Sequence, residues 1–108
     1  MTAPQHPFAG RQGSKKRKRL AIAIGHRDGF YCQLCKSVLY EGKQGRKAMV
    51  LDHIKPITLC PDLTWDEANL WLVCRHCHDT TCQSIEALYS GDAEMIAEAK
   101  RRQTETWG

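Results

Sequence analysis

Two C-x-x-C pairs, Cys32-Gln-Leu-Cys35 and Cys74-Arg-His-Cys77, sit in opposite halves of a 108-residue chain. A chain of this length forms one domain with a modest core, and domains of that size are often held by a disulfide or a metal. Three Trp, three Tyr and two Phe make apolar burial alone a weak anchor. No apolar stretch of the export-signal kind precedes the first pair, so the expected setting is intracellular, cytoplasmic and reducing. Under reducing conditions the two pairs read as one four-cysteine zinc site rather than as disulfides. Such a site is structural, because four thiolates leave no coordination position for water. Cys60 and Cys82, the other two of six cysteines, are expected to be free thiols. No apolar run approaches the roughly 20 residues of a membrane-spanning helix, and no membrane partner is expected.

Charge is placed unevenly. Residues 1–27 carry Arg11, Lys15, Lys16, Arg17, Lys18, Arg19 and Arg27 and no acid, whereas all 12 acidic residues lie in the body that follows. The body is net negative, and the formal +4 of the chain comes from its N-terminal segment. A body of that sign has no general attraction for a polyanion. A nucleic acid would be gripped by the tail and by bound cations.

The composition divides the chain into a basic, disordered arm over residues 1–18, a central domain over 19–90 and a C-terminal helix and tail over 91–108. The central domain reads as a short helix interrupted at Gly25 and Gly29, the first cysteine pair, and a strand with a Gly-containing turn over 36–47. A strand over 48–54 follows, then a loop over 55–69 with one helical turn, a buried strand over 70–74 and a helix from Arg75 to about Leu88. Asp92 is expected to cap the last helix, with Lys100, Arg101 and Arg102 in its final turn where the helix dipole favours cations. Trp65, Trp71 and Tyr89 read as core, and His6, His26 and His76 as bystanders. The fold class is a small α+β domain.

The stretch "MVLDHIKPI" runs an apolar strand into Asp52-His53 and stops it at Pro56. Ending a buried strand in a carboxylate and an imidazole is costly unless the pair is used. Hydrolysis of a phosphodiester needs a base for water, a Lewis acid for the charged phosphorane and a stabilised leaving oxygen. If the strand over 48–53 lies beside that over 70–74, Asp52, His53 and His78 gather at one cleft. Two alternatives stay open: His78 could complete the zinc site in place of a cysteine, and Asn69 could be a simple turn or cap residue.

Taken together, "CQLC", "LDHIKP", "DEANLWLVC" and "CRHCH" resemble, in order and spacing, the HNH endonuclease family and especially its small zinc-containing phage-type members, over residues 19–88. The resemblance implies a ββα-metal finger stapled by a four-cysteine zinc site. It implies His53 as general base, Asp52 and His78 as ligands of a catalytic Mg2+, Mn2+ or Ni2+, and Asn69 as the residue that fixes the loop. The activity implied is nicking or cleavage of DNA with weak sequence specificity, by a monomer or weak dimer, beside phage packaging proteins. Restriction, homing and toxin roles share the same finger. The chain departs from many relatives after Cys77-His78, where Asp79, Thr80 and Thr81 replace a basic residue. Contact with phosphate then falls to Lys55, Arg75 and the run Lys15, Lys16, Arg17, Lys18 and Arg19. Two rivals remain, a metal-dependent RNase and a catalytically silent zinc module that binds nucleic acid or protein. The silent module accounts for the cysteine pairs and the basic tail, but not for Asp52, His53 and His78 together.

Overall fold

Strand β2 (Leu70–Cys74) is buried along its whole length, and the rest of the molecule is arranged to cover it. The structure is a computed structural model and describes residues 10–40 and 45–107. β1 (Met49–His53) pairs with β2 in antiparallel register, Met49 opposite Cys74 and His53 opposite Leu70. A two-stranded sheet is marginal by itself, so its second edge and both faces need cover. The carbonyls of Leu70 and Leu72 point to the edge that β1 does not use. Leu70 accepts from the Arg27 guanidinium at 2.9 Å and Leu72 from the Gln33 amide at 3.0 Å. A side chain and the first cysteine knuckle thus close that edge.

Arg27 belongs to α1 (Gly10–Asp28), which buries Ala21 and Ile24 against the core. Three expectations change here. The basic run is not a loose arm: residues 10–18 are the outer half of this helix. Lys and Arg are good helix formers, and the packed inner half supplies the nucleus from which the helix extends. Nor does the helix break at Gly25. A Cβ there would lie 2.1 Å from the Phe30 ring, so glycine serves close packing. The chain turns only at Gly29 and Phe30, both at positive φ, whose amides return to the Gly25 carbonyl at 2.6 and 3.0 Å. Residues 1–9, with His6, lie outside the described residues. Third, the strand expected over 36–47 is reduced to isolated bridges, Tyr31 with Val38 and Tyr40 with Ala48, and residues 41–44 are outside the description.

The loop after β1 contains two 3-10 turns, Pro61–Leu63 and Glu67–Asn69. Asp66 caps the second by accepting from the Ala68 amide at 3.0 Å. After β2 the helical run expected from Arg75 is present as α2 (Arg75–Cys77), a π-helical turn (His78–Cys82) and α3 (Gln83–Leu88). α4 (Ala93–Trp107) follows, and Asp92 caps it as expected, its side chain accepting from the Met95 amide at 3.1 Å. The helix continues to Trp107, so Lys100 to Arg102 are not its last turn; Lys100 faces inward with Ile96 and Ala97 and is fully buried. The whole is the small α+β, ββα-metal arrangement that the sequence implied. Among the described residues no helix is long and apolar enough to cross a membrane.

Candidate functional site

The four knuckle cysteines converge. The sulfurs of Cys32, Cys35, Cys74 and Cys77 all lie within 4.8 Å of one another, and Cys35 and Cys74 are 3.9 Å apart at sulfur. A tetrahedral zinc with Zn–S bonds of about 2.3 Å has S···S edges of about 3.8 Å. Disulfide sulfurs would be about 2.05 Å apart. The second cysteine of each pair donates its backbone amide to the first sulfur, Cys35 to Cys32 and Cys77 to Cys74, each at 3.4 Å. Those bonds shape the knuckles. Burial pushes the thiols of Cys74 and Cys77 upward. At Cys35 burial acts the same way, but hydrogen bonds from Ser37, Cys32 and Cys77 outweigh it and bring the thiol down to about 6. Four thiolates this close need a divalent cation between them, and the donor set fits zinc. His76, between the ligands, is exposed, with the Arg46 guanidinium 3.3 Å from its Nε2.

His78 stands outside this cluster, because four sulfurs already complete it. The π-helical turn that begins at His78 carries its ring toward the end of β1, where Nε2 lies 3.8 Å from Asp52 Oδ1. Asp52, His53 and His78, with Pro56, Ile57 and Glu86, line a cleft of about 300 Å³. The imidazoles and carboxylate expected to meet do so, through the β1–β2 pairing and the helix that follows β2.

The two oxygens of Asp52 face different surroundings. The residue is 4% exposed. Oδ2 accepts from the Trp71 indole at 2.7 Å and from Lys100 Nζ at 3.1 Å. Trp71 is directly opposite Asp52 in the ladder, which places indole and carboxylate on one face. Trp71 is therefore core, as expected, and also a partner of the site. Oδ1 faces His78. Lys100 is the residue that the sequence reading missed. Its ammonium donates to Asp52 Oδ2, to the His53 carbonyl at 2.7 Å and to Glu86 Oε2 at 2.8 Å, using all three protons. Burial disfavours that charge, but Asp52 and Glu86 outweigh burial and raise the Lys100 pKa. The signal was a lysine at i+4 from Ile96 on an apolar helix face. Cys82, buried as well, is driven up by burial and then by the Asp52 charge, so it stays a neutral thiol.

His53 Nε2 lies 2.9 Å from the Thr64 carbonyl oxygen. A carbonyl only accepts, so Nε2 carries the proton and the basic nitrogen of the neutral ring is Nδ1. Thr64 is held in turn by its hydroxyl, which donates to the Pro61 carbonyl at 2.6 Å. Sequence carried no sign of this, since any residue supplies a carbonyl. Asn69 clamps the loop from its other end: Oδ1 accepts from the Lys55 amide at 2.9 Å and Nδ2 donates to the Lys55 carbonyl at 3.0 Å. The simple-cap alternative for Asn69 therefore falls short.

The expected phosphate contacts are dispersed. Lys15, Lys16, Arg17, Lys18 and Arg19 are exposed on α1, with Lys16 Nζ 4.3 Å from the centre of the Trp65 ring. Arg75 is exposed at the start of α2, while Lys55 is bound to Glu94 of α4 at 2.6 Å. Residues 32–82 match a family model described as HNH endonuclease, a span that begins at the first zinc ligand and contains Asp52, His53, Asn69 and His78. No curated protein and no solved structure matches the chain.

Proposed function

With residues 32–82 an HNH endonuclease domain, we propose that the protein is a metal-dependent endonuclease that hydrolyses DNA phosphodiesters with weak sequence specificity. One observation carries this reading. A single cleft holds an imidazole whose Nε2–H is fixed by a carbonyl, beside a carboxylate–imidazole pair 3.8 Å apart. His53 takes a proton from water at Nδ1, and the Thr64 carbonyl stabilises the imidazolium through Nε2–H. Asp52 Oδ1 and His78 Nε2, 3.8 Å apart, are the atoms that would hold the Mg2+, Mn2+ or Ni2+. Bound there, the ion supplies positive charge for the phosphate oxygens. Asn69 holds the backbone of Lys55 at both its amide and its carbonyl, and so fixes the start of the segment whose Pro56 and Ile57 form one wall of the cleft. The zinc does no chemistry, since its four ligands close it.

Lys15, Arg17, Lys18 and Arg19 on α1 and Arg75 supply the grip on phosphate. Lys55 joins them only by leaving Glu94, an exchange of small cost because Glu94 is largely exposed. Among the described residues nothing resembles a base-reading element, which agrees with weak specificity. Incubation with supercoiled plasmid and with RNA, each with and without Mg2+, Mn2+ or Ni2+, tests the reading. The expected result is metal-dependent nicking of plasmid, lost at least about a hundredfold in His53→Ala with zinc content unchanged. Cleavage of RNA alone would make the protein an RNase. Cleavage of neither would leave a zinc-stabilised binding module.

A further inference from the structure

Lys100 has no part in the chemistry proposed above, yet it is fully buried and touches three groups at the cleft. Two of the three are carboxylates, and both Asp52 and Glu86 line the cleft. We infer that Lys100 is an internal counter-ion that withholds Glu86, and the Oδ2 oxygen of Asp52, from the divalent ion, leaving Asp52 Oδ1 and His78 as the ligands. The inference deepens the proposed function and rests on it.

The argument is one of geometry and charge. Each ammonium proton is directed at a different oxygen, so Lys100 fixes α3 through Glu86, β1 through Asp52 and the His53 backbone, and α4 through its own stem. Asp52 Oδ2 is already doubly occupied, by Lys100 and by the Trp71 indole, and cannot turn toward the cleft without losing both. Glu86 is bound at Oε2 while still a third exposed at its side chain, so it lies within the cleft wall but is engaged elsewhere. A site made of one carboxylate and one imidazole keeps most of the ion's positions for water and phosphate oxygens, as nuclease chemistry requires. Adding a second carboxylate would tighten metal binding and crowd out phosphate. Lys100 is in this sense a positioning residue, acting on the ion through Asp52 and Glu86.

The test is calorimetric titration of Mn2+ into the zinc-loaded protein. Lys100→Met keeps the buried stem and removes the charge. It should bind Mn2+ at least about tenfold more tightly than wild type, because a unit positive charge within a few ångströms is gone and Glu86 is released. Adding Glu86→Gln to that variant should reverse most of the gain, and plasmid cleavage by Lys100→Met should fall although its metal affinity rises. A structural ion pair alone would lower stability without raising Mn2+ affinity. Lys100→Met that folds, retains zinc and binds Mn2+ no more tightly overturns the inference, as does a gain that survives Glu86→Gln. Should Lys100→Met fail to fold, Glu86→Gln alone decides. Affinity within about twofold of wild type supports withholding, and a loss of tenfold or more shows that Glu86 is already a ligand. Asp52→Ala serves as the control: if it binds Mn2+ as wild type does, or if wild type takes up none, the proposed ligand pair itself fails.

Discussion

Asn69 is the residue whose replacement most directly tests how the cleft is held together. Its side chain is buried and makes two short hydrogen bonds to one peptide segment, accepting from the Lys55 amide at 2.9 Å and donating to the Lys55 carbonyl at 3.0 Å. A third contact, to the Leu63 carbonyl at 3.5 Å, is too long to count for much. Each good bond contributes about 1 kcal/mol net, so Asn69→Ala should cost about 2 kcal/mol. The cost rises toward 4 kcal/mol if water cannot replace the lost partners, at about 1–3 kcal/mol for each group left unsatisfied. Lys55 is half-buried, which favours the lower figure. At 4–8 °C per kcal/mol for a domain of this size, the melting temperature should drop by about 8–16 °C. Asn69→Asp separates this account from simple loss of packing. It keeps the acceptor but turns a carboxylate oxygen toward the Lys55 carbonyl, so it should be at least as destabilising as Ala despite its matching shape. Urea unfolding under zinc saturation measures both, because zinc loss would otherwise merge with the transition. Cleavage should fall in parallel, since the clamped segment carries Pro56 and Ile57 of the cleft wall. Asn69→Ala within about 0.5 kcal/mol of wild type, the range of ordinary surface changes, would refute the clamp, and so would an Asp variant of native stability.

Other expectations follow from the same geometry. Metal analysis should find about one tightly held zinc per chain, and Cys32→Ser or Cys77→Ser should lose both zinc and cooperative unfolding, because binding at such sites is coupled to folding. A folded, zinc-free wild-type protein would contradict this. Asp52→Ala and His78→Ala should retain zinc but need more Mn2+ for plasmid cleavage; unchanged metal dependence in both would exclude them as ligands. Arg27→Leu removes the guanidinium from the Leu70 and Glu67 carbonyls and should cost about 1.5–3 kcal/mol in chemical unfolding, the range for hydrogen bonds to a charged group. Replacing Lys15, Arg17, Lys18 and Arg19 by Gln retains α1 and should flatten the log K versus log[salt] plot for duplex DNA by about three to four units, at roughly 0.9 per phosphate. An unchanged slope would move the DNA contact away from α1.

The parts of this protein legible in its sequence are those set by neighbours along the chain. A C-x-x-C pair forms its own knuckle, and one tetrahedral ion needs two such pairs, so the zinc site followed from spacing. The strand Leu70–Cys74 was bounded by polar residues before it and by the second knuckle after it, and Asp92 preceded a helical pattern as a cap should. Asp52 and His53 were placed at the end of a strand by sequence alone, but successive strand side chains point to opposite faces, so the cleft that both line with His78 was decided by the packing around β1. The remaining features depend on which surfaces pack together. The helical state of the basic run depends on the packed half of α1, not on the charges themselves. Thr64 meets His53, and Glu67 and Leu70 meet Arg27, through backbone carbonyls, and a carbonyl bears no mark of residue type. Lys100 lies 48 residues from Asp52, and the sequence reading placed it in a last helical turn facing the dipole rather than in the core. Only the docking of α4 decided its place, because a buried ammonium requires several acceptors at once and the end of β1 and the side of α3 supply them in the folded chain.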